Sequence, residues 1–112
     1  MDDRPPERDW KVFRKLHAAA YERRCATAVA DLARICGDGS RSAAERQEEA
    51  SRVVREHDRD LARLFPDPRR SRMMLQLANL LLQELVRPEE LDRFTEETRE
   101  SVESLVRGLR RI

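Results

Sequence analysis

The sequence predicts an all-α protein, a four- to five-helix bundle, on three observations. Glycine is scarce, at 3 residues, and the 5 prolines stand only at positions 5, 6, 66, 68 and 88, so long stretches are free of helix breakers. Ala, Leu, Arg and Glu dominate, all strong helix formers, and few β-branched residues remain to build strands. Apolar residues then recur at three- and four-residue intervals in successive segments, the period of a helix with one buried face.

The first helix should begin between Pro6 and Asp9 and run to Cys36, where Gly37-Asp38-Gly39-Ser40 stops it. Phe13, Leu16 and Ala20 share one face, with Trp10 and His17 at its edge. Cys25, Ala28, Leu32, Ile35 and Cys36 lie about a third of a turn away. A stripe that shifts in this way predicts different neighbours at the two ends of the helix. The second helix follows Ser40 or Ser42 as its cap and sets Ala50, Val53, Val54, His57, Leu61, Leu64 and Phe65 at helical spacing. Its other side is charged, with Glu48–Arg52 and Glu56–Arg59 at ion-pair spacing. Pro66 ends it, because the residue before a proline is pushed away from helical angles.

Asp67 as N-cap and Pro68 as first helical residue predict a third helix from Pro68 to Val86 or Arg87. Nine of the 29 large apolar residues after Met1 lie between Met73 and Val86, so this hydrophobic third helix is expected to be the hub of the core. Pro88 opens a short helical turn with Leu91 and Phe94 facing inward. Thr95 then caps a last helix carrying Val102, Leu105, Val106, Leu109 and Ile112. Glu96, Glu97 and Glu100 stand early in it and Arg107, Arg110 and Arg111 late, as the helix dipole favours.

A length of 112 residues fits one domain, so residues 1–112 are read as a single all-α unit, with disorder expected only over about the first six. Charged residues make up 40% of the chain, yet 23 basic and 22 acidic side chains nearly cancel. With 25 Leu, Ile, Val and Phe residues the chain has enough apolar material to fold. The near-zero net charge argues against a surface that traps nucleic acid everywhere, and any such activity must come from a local patch. The excess of 21 Arg over Lys11 and Lys15 reads as coding bias.

The opening MDDRPPERDW has no apolar core of the kind an export signal needs, so a reducing cytoplasm is the expected setting. Cys25 and Cys36 are eleven residues apart on one helix, or roughly 16 Å, too far to pair. They are expected to be reduced, small, inaccessible core residues.

Few chemistries survive inspection. The run from Met73 to Val86 is interrupted by Gln76, Asn79, Gln83 and Glu84 and is too short to span a membrane, so no membrane partner is expected. His17 and His57 lack the Glu three residues earlier that a carboxylate-bridged metal bundle uses, and no nucleophile elbow, phosphate loop or cysteine-pair spacing occurs. No catalytic residue, metal or cofactor is therefore predicted. His57, on the apolar stripe of the second helix, is expected to be a hydrogen-bonded boundary histidine. Arg69, Arg70 and Arg72 form the one candidate anion site, because free backbone N–H groups at a helix start already favour negative charge. Pairing with Asp58, Asp60 or Asp67 would neutralise them instead. Nucleic acid is a weak alternative, since only five aromatic residues exist and most fall on core faces.

The stretches RDLARLFPDPRRS and EELDRFTEETRE resemble a group of small, apparently helical bacterial proteins of unknown function. The resemblance covers most of the second helix onward; it implies a helical fold and transfers no function.

The third helix carries more apolar surface than one core face needs. Leu75, Asn79, Leu82 and Val86, spaced four, three and four apart, resemble a helix–helix seam in which a polar Asn fixes register. Either the last helix of the same chain covers this second stripe, or a two-fold homodimer does. The expectation is a homodimer or another protein partner joined at that seam, in a non-enzymatic protein that works by protein–protein interaction.

Overall fold

The structure is a computed structural model that describes residues 4–111; Met1–Asp3 and Ile112 lie outside the described residues. It is all-helical, with no strand among those residues. Helix α1 spans Glu7–Cys36, α2 Ala43–Leu64, α3 Met73–Leu82 and α4 Glu96–Arg110, and short 3-10 turns occupy Arg70–Arg72 and Pro88–Arg93.

Helices α1 and α2 form an antiparallel hairpin whose turn is held by side chains. The Asp38 carboxylate accepts from the Ser40 backbone N–H (3.1 Å) and hydroxyl (2.6 Å). Ser42 then caps α2: its hydroxyl accepts from Glu45 N–H at 3.1 Å while the Glu45 carboxylate accepts from Ser42 N–H at 3.3 Å. Arg46 closes the other end of the turn by donating to the Cys36 carbonyl at 2.7 Å, where α1 leaves its last carbonyls unsatisfied.

Helix α3 is shorter at both ends than its sequence suggests. At its start Asp67 caps nothing. Gln76 instead reaches back, accepting from the Arg69 N–H (3.2 Å) and donating to the Asp67 carbonyl (3.0 Å), so residues 65–69 stay irregular. At its end Glu84 adopts φ of 59°, the left-handed region. Leu85 N–H returns to the Leu80 carbonyl (2.9 Å) and Glu84 N–H to the Leu81 carbonyl (3.0 Å), a paired cap normally built around glycine. The exit swings Leu85 and Val86 back toward the core, and Val86 is 1% exposed. Val86 is therefore a core residue of the loop after α3 and no part of a helical seam.

The core joins Phe13, Leu16 and Ala20 of α1 to Met73, Leu77, Ala78 and Leu80 of α3, to Val86, Leu91 and Phe94 of the following loop and turn, and to Val102 and Val106 of α4. Asp9 fastens α4 to α1. Its buried carboxylate accepts from Thr95 N–H (3.0 Å), the Thr95 hydroxyl (2.6 Å) and the Thr98 hydroxyl (2.6 Å). Of the stretch expected to be disordered, Pro5 is buried and its carbonyl accepts from Arg70 at 2.9 Å, while residues 1–3 lie outside the described residues.

All of this core lies in one half of the molecule. Principal extents of 61 × 29 × 22 Å and a radius of gyration of 17.5 Å describe a long body, whereas a compact chain of this length would have about 13 Å. The excess is an arm, formed by the second half of α1 and by α2. Helix α2 buries no residue completely along its 22 positions.

Candidate functional site

The two sets of residues singled out from sequence converge in part. Leu75 and Asn79 are exposed on α3 and line one open groove of about 430 Å³ with Arg69, Arg72, Pro66 and Gln76. Leu82 is half-buried against the core and Val86 is inside it, so the four seam residues do not form a continuous outward stripe. Helix α4 packs along α3, and Leu75, at 44% exposed, is the largest apolar side chain the seam leaves to solvent.

The arginine cluster is divided. Arg70 is committed within the chain, its Nη1 donating to Glu7 at 2.9 Å and its Nε to the Pro5 carbonyl at 2.9 Å. Arg69 and Arg72 line the groove, at a 3-10 turn and not at the first turn of a long helix. Asp60, a partner considered for this cluster, binds Arg24 (2.9 Å) and Arg63 (3.3 Å) instead.

The arm carries a further surface, whose residues, Val29 apart, periodicity places on the apolar faces of the first two helices. Its two flanks differ. On one, Arg24, Asp31, Ile35, Glu49, Glu56 and Asp60 line a groove between the helices. Arg24 binds Asp60 there, and Arg52 binds both Glu49 and Glu56, replacing the Glu48–Arg52 and Glu56–Arg59 pairs that spacing suggested. Each of several residues on this flank is followed by an apolar one: Arg24 by Cys25, Ala28 by Val29, Asp31 by Leu32, Glu49 by Ala50, Val53 by Val54 and Asp60 by Leu61. One residue is a 100° step, and in antiparallel helices that step carries both chains of the hairpin to the same opposite flank. The opposite flank is therefore mostly apolar, with the charges Glu22 and Asp58 toward the base of the arm. Val29 is 64% exposed and Val54 41% exposed, and Cys25, Leu32, Ala50 and Leu61 are half-buried between them.

Two histidines sit where the arm meets the body and along its seam. His17 packs against Phe13 and, edge-on, against Phe65, which also meets Tyr21. Burial pushes its imidazole below the usual value, opposed by a hydrogen bond with the Pro66 backbone. His57 is half-buried, and its Nδ1 has no hydrogen-bond partner among the described residues, contrary to the hydrogen-bonded histidine expected. Cys36 is exposed and Cys25 half-buried, so the expectation of two inaccessible thiols fails at Cys36, which lies in the last turn of α1 beyond the reach of the core.

Among the described residues no cluster of His, Cys, Asp or Glu could hold a metal ion, and no helix is long and apolar enough to cross a membrane. Comparisons of the chain with known families, with curated proteins and with solved structures find no match.

Proposed function

We propose that this chain is a non-enzymatic cytoplasmic interaction protein: a helical bundle with α3 as the hub of its core, which presents the α1–α2 arm to another protein. One observation supports this most. Helix α2 is strongly two-sided in sequence, yet its apolar side is only half covered by α1, leaving two adjacent helices with an apolar flank in solvent. A helix on the outside of a protein normally buries such a stripe, and exposed contiguous apolar surface marks interaction sites.

The reading is tested by photo-cross-linking in extract of the native host. A cross-linker at Val29 or Val54 is expected to trap protein adducts, and one at the exposed control position Arg14 to trap none. Equal labelling at all three positions would refute it. Anion binding, the other reading suggested by sequence, keeps only Arg69 and Arg72, since Arg70 is held by Glu7.

A further inference from the structure

We infer that the occupant of the arm's apolar flank is a second copy of this chain, the two hairpins closing face to face into an intermolecular four-helix bundle centred on Val29 and Val54. This rests on the reading of the arm as an interaction surface and names its partner.

Register comes first. The Arg24–Asp60 and Arg46–Cys36 contacts fix how α1 and α2 align, and in that alignment Val29 and Val54 stand at the same height on the arm. A two-fold axis through that height, whether along the arm or across it, brings four valines together. Such a centre is a layer of a four-helix bundle.

Charge is the second point. Two-fold symmetry sets a surface against its own copy, so any charge near the axis would meet its like. In α1 residues 25–33, CATAVADLA, hold one charge, Asp31, which lines the ion-paired flank. In α2 the stretch 50–58 holds four, of which Arg52 and Glu56 are paired on that same flank while Arg55 and Asp58 are not. Glu22 and Asp58, the nearest charges on the apolar side, lie toward the base of the arm, Asp58 one turn from Val54. A heterologous partner would impose no such neutrality, because opposite charges could be used.

Size is the third. From Tyr21 to Cys36 the arm is roughly 24 Å long, and two helices side by side are about 20 Å wide. The two copies together would cover about 1,000 Å², at the lower limit of area for a biological interface. Small residues such as Ala26, Ala33 and Ala50 permit close approach of the helix axes.

The test is mass in solution at 5–200 μM by light scattering, on the wild type and on a Val29→Glu/Val54→Glu double variant, with helix content followed by circular dichroism. The wild type is expected to return twice the single-chain mass of 13.2 kDa, and the double variant the single-chain mass at every concentration with unchanged helicity. Val29 is 64% and Val54 41% exposed in one chain, so their replacement is expected to keep the fold, which the circular dichroism checks. A wild type that stays at the single-chain mass overturns the inference. A dimer that survives the double variant but is split by Leu75→Glu also overturns it and moves the interface to the α3 groove. Where the wild type is monomeric and cross-linking at Val29 in host extract persists, self-pairing fails while the arm remains an interaction surface; loss of both fails both.

Discussion

Arg23 and Glu90 are joined by two parallel hydrogen bonds, Nη1 to Oε1 at 2.6 Å and Nη2 to Oε2 at 2.9 Å. Arg23 also donates to the Leu85 carbonyl at 2.9 Å, and Glu90 accepts from the Arg87 N–H at 2.9 Å. One guanidinium thus ties the middle of α1 to the loop after α3, at Leu85, and to the second 3-10 turn, at Glu90. Its neighbour Arg24 reaches the other way, to Asp60 of α2.

Replacing Glu90 with Ala is predicted to lower stability by about 1.5–3 kcal/mol, the usual range for hydrogen bonds to a charged group. The pH dependence follows from the same pair. The Arg23 hydrogen bonds hold the Glu90 carboxyl at about 2, from an ordinary 4.5, against the opposing effect of burial. Its contribution is fully present above pH 4.5 and is lost as pH falls toward 2, because the unfolded chain takes up the proton first. Urea midpoints at pH 7 and pH 2.5 should differ less for Glu90→Gln than for the wild type.

Asp9→Ala is expected to cost about 2–4 kcal/mol, since it leaves the Thr95 N–H and two hydroxyls without their acceptor. Burial raises the Asp9 pKa, but the hydrogen bonds from Thr95 and Thr98 outweigh it and hold the carboxyl below its ordinary value. Chemical denaturation should also show α4 losing its anchor, with a larger effect than Asp38→Ala in the exposed turn.

Glu84→Gly should stabilise the protein by about 0.5–1 kcal/mol. A non-glycine residue in the left-handed region bears a steric penalty that glycine avoids, and the cap hydrogen bonds are backbone ones that the change preserves. A melting temperature unchanged or lowered would contradict the cap assignment.

His17 carries an acid sensitivity. Its folded pKa lies below the ordinary 6.5 because burial disfavours the charged ring. Stability is full above 6.5 and falls as pH drops from there to the folded value, since only the unfolded chain is protonated in that window. Melting temperatures between pH 7.5 and pH 5.5 should decline, and His17→Phe should reduce the decline.

A thiol reagent should label Cys36 in the native protein nearly as fast as in denaturant and Cys25 several-fold more slowly, following their exposure. Equal protection of both would mean that the last turn of α1 is covered.

Three helices were legible in sequence almost to the residue, because their signals are local: Ser42 and Thr95 cap, Pro66 stops, and apolar spacing sets the face. The ends of α3 were not. Its start is decided by a side chain reaching back onto the backbone, Gln76 to Arg69 and Asp67, which apolar spacing does not encode, and by the tether between Arg70 and Glu7, residues far apart in sequence. Its end rests on a left-handed glutamate that carries none of the glycine signal. For the same reason the four seam positions looked continuous on a helical wheel, although Val86 lies beyond the helix. The shifting stripe of α1 was legible and did mean two sets of neighbours. What covers α2 was not legible, because periodicity reports where an apolar face lies and nothing about how much of it a neighbour hides.

Because α1 runs unbroken from the core into the arm, one helix belongs to two cooperative units. Amides near Phe13 and Leu16 sit in the core, whereas those near Val29 are secured by a single neighbouring helix. Hydrogen exchange should therefore divide α1 without any break in its backbone. Its second half would exchange with α2 by a partial opening, while its first half would wait for global unfolding. Contacts of α1 with α2, and of α3 with α4, join segments adjacent in sequence. Such short-range pairings close small loops and form quickly. Folding would then be limited by the long-range step, the docking of the first half of α1 onto the unit formed by α3, the second 3-10 turn and α4.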